Sequence, residues 1–277
     1  RCDERLPKPD NGKKVAVMGL GPAGFSLVHH LSMQGCAVVG FDGALIKSWP
    51  YGDVSQPIYD FESIREPLSQ RSVLGFGGVA EYGITSRWDK NLLKLVYLSL
   101  LRRDRVRIYG SVRFGGTLTL EDCWKWGFDH VALALGAGLP QALRIPHSLA
   151  KGMMQANDFL MSLQLTGSHQ AESIQSLLPQ LPCVVIGAGL TAVDTATEVQ
   201  AYYLQIVQVI AKRSKILRDK LGEQPFWAAF SEKESAALQV VIEHGELVLA
   251  ERLSANKQHR KPNFTDLLAR WGGVAIV

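Results

Sequence analysis

The alternation of apolar and polar positions near the start of the chain predicts a strand, a turn, a helix and a second strand in immediate succession. An apolar run at 15–18 is typical of a short buried strand. Beyond the turn, apolar residues recur every three or four positions as far as Gly35, a glycine of the kind that ends helices. The second strand, 37–41, ends at Asp42. Together these features predict a β-α-β unit over residues 14–42.

The turn itself, residues 19–24, has the sequence Gly-Leu-Gly-Pro-Ala-Gly and therefore the G-x-G-x-x-G spacing of a dinucleotide site. Gly19 permits the tight turn, Gly21 lets a diphosphate approach the backbone, and Gly24 lets the helix pack closely on the strand. The N-terminus of the helix offers N–H groups and the positive end of its dipole to phosphate oxygens. Asp42, eighteen residues after Gly24, is in position to bind ribose hydroxyls.

A second copy of this pattern begins at Cys183, where a short apolar run enters the glycine turn 187–192. Its last residue is alanine, which still permits close packing. Two such units in one chain indicate two dinucleotides, one passing electrons to the other. A strand at 206–211 would place Lys212 and Arg213 at an NADP 2′-phosphate, but the apolar spacing there favours a continuing helix.

The rest of the second half is predicted to be mostly helical. A capping box formed by Ser231 and Glu234 starts one long helix, and another helix follows it. Residues 205–271 are therefore predicted to be a helical insertion that serves as a docking surface or a lid. The second strand of this domain would begin at Val274, and the residue that separates NAD from NADP would fall just beyond Val277.

The stretch between the two glycine turns contains further signals. Residues 75–83 are rich in glycine, which suits either a backbone that passes close to a flat group or a loose surface loop. A helix is predicted over 89–103 and a buried strand over 129–135, which ends at Gly136. Because the carboxyl ends of strands face the ligand crevice in doubly wound folds, we expect Gly136 near the site.

Composition is that of a globular protein with one large or two medium domains: 277 residues, 47% hydrophobic and 20% charged. The net charge of +4 comes with scattered basic residues, so we expect no nucleic-acid partner. No apolar run approaches the roughly 20 residues of a membrane span. The four cysteines lack C-x-x-C spacing, which argues against a metal site or a redox disulfide, and with no signal peptide we expect a cytoplasmic protein. The chain starts without methionine and stops inside a predicted strand, so we expect a piece of a longer polypeptide.

The sequence resembles the glutamate synthase small-chain branch of the FAD/NAD(P)H-dependent oxidoreductases, within the pyridine nucleotide-disulfide oxidoreductase superfamily. The stretches that carry the resemblance follow the order of that family: 13–24, 77–84, 129–136, 156–160 and 184–194. The resemblance implies an α/β fold with two Rossmann-like dinucleotide-binding domains, for FAD and for NAD(P), the second truncated and carrying the helical insertion. We expect a linker at 1–13, the FAD-binding domain at 14–145, a connector at 146–180 and the NAD(P)-binding domain at 181–277, with the insertion at about 205–271.

The resemblance also implies cofactor-binding residues, but no catalytic acid or base and no metal ligand. Those for FAD are Gly19, Leu20, Gly21, Pro22, Ala23 and Gly24 at the diphosphate, Asp42 at the adenosine ribose, Gly77, Gly78, Tyr82 and Gly83 along the flavin, the backbone of Val112 at the adenine, and Gly136 closing over the cofactor. Those for the NAD(P)H diphosphate are Gly187, Gly189, Leu190, Thr191 and Ala192.

The activity implied is hydride transfer from NAD(P)H to FAD, followed by electron transfer to another domain or subunit. In that family the acceptor is often an iron–sulfur cluster bound by upstream cysteines, of which only Cys2 remains here. The redox cysteine pair of disulfide reductases is also missing. We therefore expect a flavoprotein oxidoreductase module. Two alternatives stay open, a non-catalytic nucleotide-binding or scaffold module and a flavin monooxygenase.

Overall fold

The computed structural model describes residues 6–67, 70–71, 73–82, 89–168, 170, 172–174 and 177–277. The chain divides into two compact units, Arg1–Leu143 and Arg144–Val277. Each unit combines α-helices with a parallel β-sheet, so the fold is mixed α/β.

The first unit is built around a four-stranded parallel sheet. Its elements are β1 (Lys14–Met18), α1 (Pro22–Met33), β2 (Ala37–Phe41), a 3₁₀ turn (Phe61–Ile64), α2 (Val79–Tyr82), α3 (Leu92–Leu101), β3 (Val106–Tyr109), α4 (Leu120–Lys125) and β4 (His130–Leu133). The strand order is β3-β2-β1-β4, with every neighbouring pair parallel. The first glycine turn therefore leaves the sheet from an inner strand.

The side chains of β1 alternate between two apolar clusters, one on each face of the sheet. Val15 and Val17 pack in the cluster that includes residues of α1 and α3, whereas Ala16 and Met18 pack with Phe41 and with Cys123 of α4. These four residues of β1 are all buried. A parallel strand covered on both faces has this continuous apolar pattern, and the predicted buried strand at 15–18 is confirmed.

The strand predicted at 129–135 is shorter and more exposed than expected. β4 covers four residues, and the side chains of Leu133 and Leu135 are both more than half exposed. Within the described part of the chain, β4 pairs with β1 alone and so forms an edge of the sheet. The prediction of a buried strand was wrong, because an apolar pattern does not tell whether a further element covers it.

The residues before β1, predicted to be part of a linker, lie against the first unit. The backbone N–H of Lys8 donates to the carbonyl oxygen of Met33 at 2.9 Å. Gly35 has a φ of +88°, and a Cβ atom there would lie 2.0 Å from the carbonyl oxygen of Pro9. Only glycine permits this contact. The segment 8–11 is thereby fixed at the turn between α1 and β2.

The second unit contains a two-stranded sheet and long helices. Its elements are α5 (Ala156–Leu165), β5 (Cys183–Val185), α6 (Leu190–Leu221), α7 (Glu223–Ala228), α8 (Glu232–Lys257), α9 (Phe264–Arg270) and β6 (Val274–Ile276). β5 and β6 pair in parallel, so the strand predicted from Val274 is confirmed. Residues 206–211 lie inside α6. The capping box is confirmed, since the Ser231 hydroxyl accepts from the Glu234 N–H and the Glu234 carboxylate accepts from the Ser231 N–H.

Helices α6 and α8 approach each other closely at Gly245. A Cβ atom on this residue would lie 2.2 Å from the carbonyl oxygen of Val207 in α6. Beside this crossing, the hydroxyl of Tyr203 lies 2.7 Å from Nδ1 of His244. The imidazole of His244 also stacks on the indole of Trp271, with ring centroids 4.0 Å apart. These contacts join both long helices to the residue that follows α9.

Candidate functional site

The first glycine turn joins β1 to α1 at the carboxyl end of the sheet. Gly19 has a φ of +95°, and a Cβ atom there would lie 2.2 Å from the carbonyl oxygen of Ala134. At Gly24 a Cβ atom would lie 1.8 Å from the carbonyl oxygen of Gly19. Neither position can accept a side chain without a backbone shift. Both glycines therefore serve the packing of the turn, as predicted from the motif.

Gly21 differs from these two glycines, because a Cβ atom built on it would meet its neighbours only at ordinary van der Waals distance. The atoms nearest to a Cβ built there would be Cα of Gly78 and the carbonyl oxygen of Gly77, at 3.8 and 3.9 Å. Gly21 caps the 12-residue helix α1 in an extended conformation, with Pro22 and Ala23 exposed behind it. The positive end of the α1 dipole lies at this turn. A side chain at Gly21 would cover the backbone that the motif offers to a diphosphate.

The Gly77–Gly78 turn packs directly against Gly21. Both residues have positive φ, +112° and +54°. A Cβ atom on Gly78 would lie 2.8 Å from Cα of Gly21, so the two main chains meet without side chains between them. The structure thus brings together the turns predicted for the diphosphate and for the flavin. Tyr82 ends α2, but its side chain and the whole of Gly83 lie outside the described residues.

Asp42, half-buried at the end of β2, is bonded to the glycine turn. Its Oδ2 atom accepts a hydrogen bond from the Leu20 N–H at 2.7 Å, and Oδ1 accepts one from the Ala44 N–H at 2.9 Å. Sequence reasoning missed this hydrogen bond between the end of β2 and the turn. Each carboxylate oxygen can accept more than one hydrogen bond, so the carboxylate keeps the capacity to bind ribose hydroxyls.

Val112 and Gly136 lie in different surroundings. The backbone N–H of Val112 donates to the carbonyl oxygen of Asp42 at 2.9 Å, which places Val112 beside the predicted ribose residue. Gly136 follows β4 with a φ of +76° and is exposed. No described atom lies within 4 Å of a Cβ built on it. The structure brings Val112, but not Gly136, into contact with another predicted FAD residue, and both roles stay predictions.

The second glycine turn joins β5 to α6. Gly187 has a φ of +124°, and its N–H donates to the carbonyl oxygen of Val277 at 2.7 Å. Gly189 caps α6 in an extended conformation, and its Cα faces open space as far as the described atoms show. α6 has 32 residues, so its N-terminus carries a full helix dipole. This turn also fits a diphosphate.

The other three residues predicted at this turn form the first turn of α6. Leu190 and Thr191 are exposed, whereas Ala192 is buried against Val185 of β5 and Ala196 of the same helix. Ala192 therefore packs the helix on the strand, as the motif predicts. Leu190 and Thr191 lie on the exposed side of the turn.

Sequence reasoning missed a buried ionic cluster next to the Gly77–Gly78 turn. Arg71 and Glu81 are each 2% exposed and form an ion pair at 2.7 Å. Nζ of Lys90, which is 1% exposed, donates to the backbone carbonyl oxygen of Glu81 at 2.6 Å. Lys90 lies just before α3, where the helix dipole disfavours a cation. That unfavourable position is the signal by which the sequence could have indicated the cluster.

Among the described histidines, His29 and His244 have shifted pKa values, and both lie on helices. Burial lowers the pKa of His29, and the guanidinium of Arg103, with Nη2 3.0 Å from the His29 Nδ1, lowers it further. Burial also lowers the pKa of His244, although Glu243 raises it in part. These shifts favour neutral imidazoles that stabilise helix packing, and neither histidine belongs to a glycine turn.

The described residues contain neither a cluster of metal ligands nor a membrane-spanning helix. In that part of the chain, no three histidine, cysteine, aspartate or glutamate side chains are grouped so that they could hold a metal ion. None of the helices there combines the length and the apolar character needed to cross a lipid bilayer.

Comparison with known proteins shows what the chain is similar to. The family described as pyridine nucleotide-disulphide oxidoreductase matches residues 13–262. The uncharacterized protein RP006 of Rickettsia prowazekii (strain Madrid E) is 42% identical over 207 residues, which cover 75% of this chain and 29% of that protein. The glutamate synthase [NADPH] small chain of Bacillus subtilis (strain 168) is 27% identical over 157 residues, 56% of this chain and 26% of its own. The NADPH-Fe(3+) oxidoreductase subunit beta of Geobacter sulfurreducens is 27% identical over 195 residues, 68% of this chain and 23% of its own. The chain spans less than a third of the length of these relatives.

Proposed function

This chain belongs to the pyridine nucleotide-disulphide oxidoreductase family, whose members use FAD and NAD(P)H, and on that premise we propose that it is a flavin-dependent electron-transfer module. The family that the sequence resembles is confirmed, and so is its oxidoreductase class. In this proposal the first unit binds FAD, the second unit binds NAD(P)H, and the electrons pass to another domain or subunit. The two cofactors supply the chemistry, hydride transfer between a nicotinamide and a flavin.

The observation that supports the proposal most is the bare backbone at Gly21. Packing does not require glycine there, since a Cβ atom would meet its neighbours at ordinary contact distance, and the N-terminus of α1 adds a positive dipole. A diphosphate needs both a bare backbone and a positive dipole. The second turn repeats the arrangement, with the exposed Gly189 at the N-terminus of α6.

The residues of the chain would bind and orient the cofactors rather than take part in bond making. The turn at 19–24 would hold the FAD diphosphate and Asp42 the ribose hydroxyls, while Gly187, Gly189 and the first turn of α6 would hold the NAD(P)H diphosphate. Positioning alone can supply most of the rate in a hydride transfer, since no acid or base is required.

We further propose that both units are Rossmann-like domains. The parallel order β3-β2-β1-β4 in the first unit is the order of the corresponding strands in such folds. The β5-turn-α6-β6 sequence of the second unit, with β5 and β6 adjacent and parallel, is the start of the same arrangement.

The names of two relatives, a small chain and a subunit beta, describe parts of larger assemblies. This supports a partner for the present chain, an electron-accepting domain or subunit, for which an iron–sulfur centre is the class of acceptor we propose. Glutamate synthase-like activity belongs to the same proposal.

The proposal is tested by adding NADPH or NADH to the purified protein without air. We expect a yellow protein that releases FAD on denaturation and whose flavin absorbance falls when the nicotinamide is added. A protein that releases no flavin, even after incubation with FAD, would contradict the proposal. Nucleotide binding without bleaching would favour the scaffold alternative, and hydroxylated product would favour the monooxygenase.

A further inference from the structure

The short helix α2 joins the Gly77–Gly78 turn to the buried ionic cluster. The N–H of Ala80 donates to the carbonyl oxygen of Gly77 at 3.1 Å, and the N–H of Glu81 donates to that of Gly78 at 2.8 Å. Four residues leave no flexible spacer between the turn and Glu81. The position of Glu81 therefore determines the position of the turn.

Glu81 is held at both its side chain and its main chain. The carboxylate pairs with the Arg71 guanidinium at 2.7 Å, and the carbonyl oxygen accepts from the Lys90 ammonium at 2.6 Å. All three side chains are at most 2% exposed. Charges buried to this extent are costly unless their partners stay in place, so the cluster resists displacement of any member.

The base of the cluster is itself fixed. Asn91, next to Lys90, accepts from the Glu66 N–H at 3.0 Å and donates to the Glu66 carbonyl oxygen at 2.9 Å. One helical turn on, the ammonium of Lys94, 3% exposed, donates to the carbonyl oxygen of Ile64 and pairs with the Glu66 carboxylate at 2.8 Å. The start of α3 is thus tied to a separate stretch of chain, and Lys90 holds Glu81 from a rigid base.

We propose that Glu81 is a positioning residue that fixes the Gly77–Gly78 turn against Gly21 and so shapes the site for the FAD diphosphate. The cations at the start of α3 oppose its dipole and are buried, and packing alone would not require either property. The contact of Gly78 with Gly21 leaves no room for inward movement, while the cluster prevents outward movement. This inference rests on the proposed function only in naming FAD as the occupant.

The test compares the 277-residue chain with its Glu81→Gln variant, and with Glu62→Gln as the matched control. Glu62 pairs with Arg65 at 3.2 Å on the surface of the same unit, its side chain 66% exposed. In protein without FAD, we expect amide hydrogen exchange at residues 80 and 81 to rise about tenfold in Glu81→Gln, with β1 unchanged. We expect FAD to bind about tenfold more weakly, which corresponds to about 1.4 kcal/mol. Glu62→Gln should change neither quantity.

Unchanged amide exchange or unchanged FAD affinity in folded Glu81→Gln would overturn the proposal, because Glu81 would then not position the turn for FAD. If Glu81→Gln does not fold, Glu81→Asp, which keeps the charge on a shorter side chain, is judged by the same two measurements. If wild-type protein binds no FAD, the proposed function fails, and exchange in Glu81→Gln still decides whether the cluster fixes the turn.

Discussion

Gly21 and Gly78 meet main chain to main chain, yet the two positions differ in what they tolerate. A methyl group on Gly78 would press against Cα of Gly21 at 2.8 Å, whereas one on Gly21 would stand at ordinary contact distance from every described atom. Packing therefore requires glycine at Gly78 but not at Gly21.

Replacing Gly21 and Gly24 separately by alanine should show that the first affects ligand binding and the second affects the stability of the fold. Gly21→Ala should leave the free energy of unfolding within about 1 kcal/mol of wild type, because its extended conformation suits alanine. The same change should abolish FAD binding. Gly24→Ala should lower the free energy of unfolding by at least about 1–3 kcal/mol, because its Cβ would lie 1.8 Å from a backbone oxygen. Urea unfolding and FAD titration measure the two effects, and wild-type FAD affinity in Gly21→Ala would contradict the diphosphate site proposed at this turn.

Asp42→Asn should destabilise the first unit even without a cofactor. The asparagine amide would direct its own N–H group at one of the two backbone donors that Asp42 accepts from. We expect a loss of about 1–3 kcal/mol in the free energy of unfolding, the cost of a buried donor left without a partner. Asp104→Asn, an exposed change in the same unit, is the control. Equal stability of both variants would show that the bond to Leu20 does not stabilise the turn.

The stability of the second unit should fall in acid because of His244. Burial lowers the pKa of His244 in the folded state, and the pKa of Tyr203 is raised to about 12, so a neutral phenol and a neutral imidazole share the hydrogen bond at Nδ1. Below the unfolded pKa of about 6.5 the unfolded chain binds the proton more readily. The stabilisation is therefore complete above about pH 6.5 and is lost as the pH falls through the folded pKa.

Urea unfolding between pH 5 and 7.5, followed through tryptophan fluorescence, measures this dependence. His244→Phe keeps a ring on Trp271 and removes the titration, so its stability should change less with pH than that of wild type. The change His130→Phe, at an exposed histidine, should keep the wild-type slope. An unaltered slope in His244→Phe would contradict the assignment.

Lys212 and Arg213 should have no part in the choice between NADPH and NADH. Lys212 follows the first residue of α6 by 22 positions, about 33 Å along a straight helix. We expect the double variant Lys212→Ala/Arg213→Ala to keep the wild-type ratio of the two dissociation constants within about twofold. Isothermal titration with each coenzyme measures the ratio. A tenfold shift towards NADH would mean that the basic pair reaches the 2′-phosphate.

The sequence was sufficient to predict those elements whose apolar pattern repeats or whose motif determines the backbone conformation. The apolar run at 15–18, the capping box at Ser231 and the late strand at Val274 all follow from local rules. The exposure of β4 does not, because it depends on which elements cover the strand. The pair between Arg71 and Glu81 was equally hidden, since its partners lie ten residues apart in an irregular, glycine-rich stretch with no periodicity.

The anchoring of segment 8–11 determines where a label can be attached without blocking the first glycine turn. The α1–β2 turn to which it is bonded lies at the amino end of β2, whereas the first glycine turn leaves the carboxyl end of the parallel strand β1. Five residues of strand separate these two edges of the sheet by about 17 Å. A fluorophore or an immobilising group attached at Lys8 would therefore lie at the amino ends of the strands. The glycine turn at the carboxyl end of β1 would stay accessible to ligands.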